Sequence, residues 1–506
     1  MLRSLRNLWR LLVIAHTLAR HNALQPLETL GVAPWLVRPM RLFADRGSND
    51  FRIGERLAQA AVALGPGFIK LGQALSTRAD LIGADVAEDL AMLRDRLPPF
   101  PAAEARAVVA RELGAPVADL FKSFDDTPVA AASIAQVHFA VTTDDREVAV
   151  KVLRPGVEQA FQRDLDLLFW LAALVERTQP RWRRLRPVDS VAAVADMVAI
   201  EMNLRLEGAA ASELAENFAD DPSFNVPSVD WQRTANRVLT TGRVDGIPID
   251  QHDALIAAGH DPAALLEKAA RATFNQVFRD GFFHGDPHQG NLFVDRAGDL
   301  WVVDFGIMGR LDLATRRYLG DMLIGFLNAE YDMVARVHFD AGLVPPDKSV
   351  GAFTQAIRSI GEPILGLPVN EISVGRLLGQ LFQITETFGM QVQPHLLLLQ
   401  KVLVVAEGVG RNLYPEANMW QLARPLIEDW IIANTGPDAR LRAAAEQTAG
   451  VLRRLPRIAE QAETALDRVA HWQPPESRAG LRPILLWATF AAGLAVSALI
   501  ALILDA

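Results

Sequence analysis

The chain has 506 residues, with 51 Lys and Arg against 60 Asp and Glu, for a formal net charge of −9. Its length allows more than one domain, while its acidic balance excludes nucleic acid as the main partner, because binding a phosphate backbone needs a basic surface. No cysteine is present, which excludes disulfides, thiolate catalysis and cysteine-ligated metals.

Wound as a helix, the first twenty residues place Leu2, Leu5, Trp9 and Leu12 on one arc and Arg3, Arg6 and Arg10 on another. That pattern suits a helix lying in the plane of an anionic bilayer and equally an amphipathic core helix; it does not read as a signal peptide. Residues 47–125 read as helices, broken at Gly65-Pro66-Gly67 and closed by Pro98, Pro99 and Pro101, with no strand pattern. From Val129 the period changes to two, so IAQVHFAV and REVAVKVL read as strands joined by a turn at 142–145. Helices are expected over 157–177 and 189–218, separated by the basic, Pro-bounded QPRWRRLRP, and RVLTTGRVDGIPI adds a strand and a link. Beyond Ala263 the pattern is largely helical apart from one hairpin, and QPPESRAGLR at 473–482 leads into a final apolar run.

That run, PILLWATFAAGLAVSALIALIL at 483–504, carries no charge. As a helix it would be about 33 Å long, enough for a hydrocarbon core of about 30 Å, so it is expected to span a membrane. Arg478 and Arg482 precede it and Asp505 follows, which keeps the preceding body on the cytoplasmic side of the inner membrane. Thr489, Gly493, Ser497 and Ala501 recur every four residues, a small-residue stripe that would permit pairing of two such helices in a homodimer.

The chemistry concentrates in GFFHGDPHQGNLFVDRAGDLWVVDFGIMG, residues 281–309, where Asp286, Asn291 and Asp304 occur in that order. Residues 291–294 and 300–303 read as strands around a turn at 295–299, so one hairpin brings Asn291 near Asp304. A carboxylate and an amide are the hard oxygen ligands Mg²⁺ accepts beside a nucleotide's phosphates. Asp286 stands where a kinase aligns or deprotonates its acceptor, and Lys151 ends a Val-Ala-Val-Lys strand as a phosphate-holding lysine would. His284 and His288 do not make a helical metal pair, because Pro287 lies between them; His284 is expected to support the loop.

These strings resemble the UbiB family of atypical, protein-kinase-like proteins linked to ubiquinone biosynthesis. The resemblance covers about residues 47–435 and rests on LGPGFIKLGQALSTRADL, AAASIAQVH, VAVKVLRPG, EMNLRLEGAAASELAENF, HGDPHQGN and VDFG. It implies an α+β, two-lobed protein-kinase-like fold with an added N-terminal helical unit and a C-terminal transmembrane helix. It further implies that Ala130, Ala131, Ala132 and Ser133 replace the Gly-rich nucleotide loop, that Glu207 is the ion-pair partner of Lys151, and that a Lys-x-Gly-Gln helix bearing Lys70 and Gln73 packs over the cleft. Glu201 and Asn203 then occupy the family's Glu-x-Asp pair, which associates with that helix; Asn203 replaces the usual Asp and removes a charge. Gln289 and Gly242 are smaller departures, at positions where the family usually has Pro and often has Glu. On a single helix Glu201 and Glu207, six residues apart, are separated by about 240°, so both cannot face Lys151.

The expected organisation is an amphipathic segment over 1–46, the family's helical extension over 47–125, a kinase-like N-lobe over 126–245, a C-lobe over 246–435, a helix and linker over 436–482, and the span over 483–504. The expected function is a membrane-anchored atypical kinase or ATPase that binds ATP or ADP with Mg²⁺ and supports ubiquinone biosynthesis. Its expected partners are nucleotide, membrane lipid, quinone precursors and quinone-biosynthesis proteins. A small-molecule phosphotransferase of the aminoglycoside or choline kinase type, and a catalytically silent nucleotide- and lipid-responsive scaffold, are the alternatives.

Overall fold

Along residues 135–142 and 147–153 burial alternates, and that alternation builds the centre of the first sheet. The computed structural model describes residues 2–25, 38–43, 51–76, 82–91, 93, 98–178, 187–364, 394–414 and a few positions between 384 and 430, all within one unit, Met1–Ile431. The apolar run at 483–504 lies outside them. Among the described residues no helix is long and apolar enough to cross a membrane.

Helix α1 (Leu2–Arg20) leads to α2 (Ile53–Leu64), α3 (Pro66–Ser76) and α4 (Ala84–Ala91). Gly65, at φ +105°, makes the break between α2 and α3 that a side chain would resist. Leu11, Ile14, Ala15 and Leu18 of α1 are buried with Ala60 of α2. Trp9, by contrast, is 70% exposed. The buried stripe is therefore rotated from the arc of Leu2, Leu5, Trp9 and Leu12, because Leu11, Ile14 and Leu18 form a second apolar stripe at helical spacing. Arg10, from the arc of arginines, donates to Asp164 Oδ1 at 2.9 Å.

Helix α5 (Ala102–Leu113) and the short α6 (Val117–Leu120) precede β1 (Phe121–Phe124), β2 (Ala130–Ala131), β3 (Ala135–Thr142) and β4 (Glu147–Leu153). Strand β1 falls where the sequence shows only a helical spacing, Phe121 and Phe124 being three apart. A register shift between Phe121 and Ser123 bulges the strand, and both rings are buried. Val148, Val150 and Val152 of β4 pack with Val108 and Val109 of α5, so the pleat sends Lys151 to the opposite face.

Helices α7 (Val157–Thr178), α8 (Pro187–Glu201) and α9 (Leu204–Asn217) follow. The segment read as one helix over 189–218 is broken at residues 202–203, where the Asn203 side chain caps α9 by accepting from Arg205 N at 3.2 Å. Strand β5 (Phe224–Asn225) goes to a second sheet, and β6 (Val238–Gly242) closes the first in the order β1-β3-β4-β6, with β2 paired to β3. Every pairing in this first sheet is antiparallel.

The second lobe contains β7 (Ile247–Pro248), α10 (His252–Ala257), α11 (Pro262–Phe274), β8 (Phe282–His284), β9 (Leu292–Val294), β10 (Leu300–Val302), β11 (Met308–Arg310), α12 (Leu313–Leu327), α13 (Tyr331–Asp340), α14 (Val350–Ile364) and α15 (Pro394–Leu413). Strands β9 and β10 form the expected hairpin, with Leu300 opposite Val294 and Val302 opposite Leu292. Their sheet runs β5-β10-β9-β7, and β8 pairs separately with β11.

Buried His138 ties the N-lobe sheet together. Its Nε2 lies 2.8 Å from Gln136 Nε2, so it must accept there, and Nδ1–H donates to Asp125 O at 2.7 Å. Burial lowers its pKa below the ordinary 6.5, against a raising hydrogen bond to Asp125. The unfolded chain thus binds this proton more readily, and the His138 contribution to stability, complete above about pH 6.5, declines as pH falls toward the folded-state pKa. Melting temperature should drop from pH 7.5 to 5.5, and His138→Gln should reduce that drop; an unchanged slope would remove His138 from the account.

Candidate active site

The end of β4, the first turn of α9 and the turn after β10 converge on one cation. Lys151 Nζ donates to Glu207 Oε1 at 2.7 Å and to Asp304 Oδ1 at 2.9 Å. Burial opposes the charge on Lys151, but the carboxylates of Asp304 and Glu207 outweigh it and hold the pKa above its ordinary value. Burial likewise opposes ionisation of Asp304, and Lys151 overcomes it, so this carboxyl lies well below the usual range. Glu207 goes the other way: burial pushes it up more than Lys151 pulls it down. The pair is therefore asymmetric, with Glu207 buried and the Asp304 side chain 49% exposed toward solvent.

Asp304 adopts φ +66°, a left-handed conformation uncommon for a residue with a Cβ and found where a site holds strain. Val303 N donates to Asn291 O at 3.0 Å, which fastens the two ends of the hairpin. Asn291 Nδ2 in turn donates to Asp286 O at 3.2 Å. Its amide oxygen and the Asp304 carboxylate are hard donors that fit Mg²⁺, which takes a few protein oxygens and completes its shell with phosphate and water. Among the described residues no group of three or more His, Cys, Asp or Glu forms a metal cage.

His284 orders the loop between these groups. It accepts at Nδ1 from Asp286 N at 3.1 Å, so its proton is on Nε2, which donates to Asp304 O at 2.7 Å. Burial lowers its pKa and favours that neutral form. His288 caps the following turn by accepting from Gly290 N at 3.0 Å. Gly285 carries no Cβ because one would meet Ile307 Cγ2 at 2.7 Å and Leu398 Cδ1 at 3.1 Å. Asp286 itself pairs through Oδ1 with Lys401 Nζ of α15 at 2.8 Å.

The Lys-x-Gly-Gln helix is α3. Lys70 Nζ lies 2.9 Å from Glu201 Oε2, with both side chains buried. Gln73 Nε2 donates to Leu93 O at 3.2 Å, and a Cβ on Gly72 would collide with Leu93 Cδ1. Glu201 ends α8 whereas Glu207 begins α9, so the two glutamates serve different lysines because the chain bends between them. The angle around one continuous helix is not the reason. Asn203 lies at that bend as a helix cap, a role in which Asn and Asp are nearly equivalent.

The alanine loop is a closed turn. Ala130 and Ala131 pair with Val137 and Gln136, and Ala132 N donates to Ala135 O at 2.7 Å. Arg154 Nε donates to Ala132 O at 3.0 Å and its Nη2 to Pro98 O at 2.9 Å. Gln136 holds the same strap through both backbone groups of Phe100, at 3.0 and 3.2 Å. Among the described residues the buried Ser133 hydroxyl has no hydrogen-bond partner. Arg154, Gln136 and Lys401 have no role in the sequence reading. For Lys401 a signal existed, a lone cation in the apolar run LLLLQKVLVV.

With this geometry, residues 92–338 match the ABC1 atypical kinase-like domain and residues 357–418 match the UbiB helical domain. The chain is 41% identical over 448 residues to the "Probable protein kinase UbiB" of Marinobacter nauticus, covering 88% of this chain and 81% of that protein. It belongs to the UbiB family. Its similarity to the protein of the same description from Pseudomonas aeruginosa is 39% identity over 94% of this chain and 90% of the relative. A solved protein from Mycobacterium tuberculosis, captured in complex with erythromycin, is 28% identical with a TM-score of 0.51, covering 71% of this chain and 91% of that one. The α+β kinase-like fold with N-terminal helices is thus shared with the UbiB family. A kinase-like domain is in general a nucleotide-binding fold. Lys70 lies ahead of the matched kinase-like domain, and Lys401 lies inside the UbiB helical domain.

Proposed function

We propose that the protein is a membrane-anchored atypical kinase or ATPase that binds Mg-nucleotide between its lobes and supports ubiquinone biosynthesis. The observation that carries this reading is Lys151 held between Glu207 and Asp304, with Asp286 and Asn291 on the adjoining loop. Glu207 keeps Lys151 charged and extended toward the cleft, where its ammonium holds nucleotide phosphates. Asn291 and Asp304 would hold Mg²⁺, which when bound neutralises phosphate charge. Asp286 orients the acceptor hydroxyl, or water, and takes its proton. The acceptor oxygen bonds to the terminal phosphorus as the bond to the bridging oxygen breaks, and that electron pair leaves with ADP. Ala130–Ser133, tied down by Arg154, covers the phosphates with methyl groups where glycine would let the backbone come closer.

Mg-dependent ATP turnover by the full chain, with and without anionic vesicles and quinone-precursor phenols, tests this function. Stimulation by both is expected, whereas nucleotide binding without turnover would favour the silent scaffold. Deleting residues 483–506 should release most of the protein from membranes, leaving at most a salt-sensitive fraction. Full retention after a high-salt wash would show that the apolar run is not the anchor.

A further inference from the structure

We infer that Lys401, carried into the site by the helical domain, is the cation that meets the transferring phosphoryl group; this rests on the nucleotide-binding reading above. The loop His284–Asn291 contains no Lys or Arg of its own. Lys151 is committed to Glu207 and Asp304, on the side of the site formed by β4 and the turn after β10. Asp286, at the acceptor position, faces Lys401 Nζ at 2.8 Å.

The packing of α15 makes that position specific. Leu398 and Lys401 are three residues apart and share a helix face. Leu398 leans on Gly285, where an added Cβ would lie 3.1 Å from Leu398 Cδ1, so the same contact sets Lys401 opposite Asp286. Leu399 and Val402 on either side are buried with Phe283 and Leu311, which anchors the helix to β8 and the strand end beyond β11. Over residues 396–406 of this helix Lys401 is the one charged group, in a run of apolar residues and Gln400.

The pair is poorly suited to fastening. The side chains of Lys401 and Asp286 are 29% and 32% exposed, and ion pairs so open to water contribute little to stability. Asp286 is also the carboxylate that the proposed reaction uses. During phosphoryl transfer, negative charge spreads over three equatorial oxygens, and an ammonium beside the acceptor-aligning carboxylate stabilises that charge. Before nucleotide arrives, Lys401 and Asp286 neutralise each other. With the terminal phosphoryl group in place, Lys401 binds its oxygens and Asp286 is left to the acceptor proton. The helical domain therefore completes the catalytic site of the kinase-like domain.

The test compares MgADP with MgADP plus aluminium fluoride, a mimic of the transferring phosphoryl group, by calorimetry on the full-length wild type, Lys401→Met and Lys401→Arg. Lys401→Met should bind the fluoride complex about 10- to 100-fold more weakly, with MgADP affinity within about twofold and an unchanged melting temperature. Lys401→Arg should recover most of the loss. Turnover of Lys401→Met should fall in kcat with little change in KM. Equal binding of the fluoride complex by wild type and Lys401→Met, or equal weakening of both complexes, would overturn the assignment of Lys401 alone. Failure of the wild type to bind MgADP would overturn the nucleotide reading and this inference with it.

Discussion

Lys151→Met lowers nucleotide turnover by about two to three orders of magnitude, the loss expected when one preorganised charge is removed from a phosphoryl-transfer site. It also lowers the melting temperature. Met approximates the lysine stem but leaves Glu207, buried among α9 and β4, without the cation 2.7 Å away. Burial already pushes the Glu207 carboxyl up, so the loss of Lys151 drives it toward the neutral acid. The half-exposed Asp304 keeps access to water and contributes less to the structural cost. Lys151→Met combined with Glu207→Gln should therefore regain much of the stability and none of the turnover. ATP hydrolysis and thermal melting of the three variants check both halves. Turnover near the wild-type rate in Lys151→Met would remove this lysine from the chemistry.

Lys70→Met has the larger effect on folding. The Lys70 and Glu201 side chains are 8% and 5% exposed, and removing one partner of such a pair costs about 3–5 kcal/mol because it strands the other charge. Replacing both partners with apolar groups is often neutral, so Lys70→Met with Glu201→Leu should recover most of that cost. The measurement is denaturant unfolding of the single and double variants. If the double variant is as unstable as the sum of the single changes, the pair is not what joins α3 to α8. The contacts of Gln73 and Gly72 go to Leu93, beyond α4, and do not reach α8.

The strands of VAVKVL and the hairpin are legible because each has a local signature, whereas the pairing of Lys151 with Glu207 comes only from the family resemblance. Alternating valines in VAVKVL place Lys151 on the face away from α5, and the polar turn between two apolar runs brings Asn291 to Asp304. Strand β1 was not legible, since its two phenylalanines are at helical spacing and only a bulge reconciles them with a sheet. The bend between Glu201 and Glu207 was missed because the capping of α9 by Asn203 leaves no Gly or Pro as a marker. Lys401 stands out locally only as a lone cation in an apolar run; its partner Asp286 is far away along the chain, so that signal says nothing of the contact. The closed alanine loop depends on Arg154 and Gln136, whose partners at residues 98–100 are equally remote in sequence.

The central claim is that Asp304 and Asn291 form the Mg²⁺ arm of a nucleotide site built around Lys151. Calorimetric titration of ATP into the full chain, with and without Mg²⁺, for wild type and Asp304→Asn, tests it most directly. Because Asp304 is half exposed, the variant should stay folded. Mg²⁺ should strengthen ATP binding to the wild type, and Asp304→Asn should lose at least about tenfold of that gain, close to 1.4 kcal/mol, while Mg-free binding persists. Identical Mg-dependent affinity in a folded Asp304→Asn variant would contradict the account.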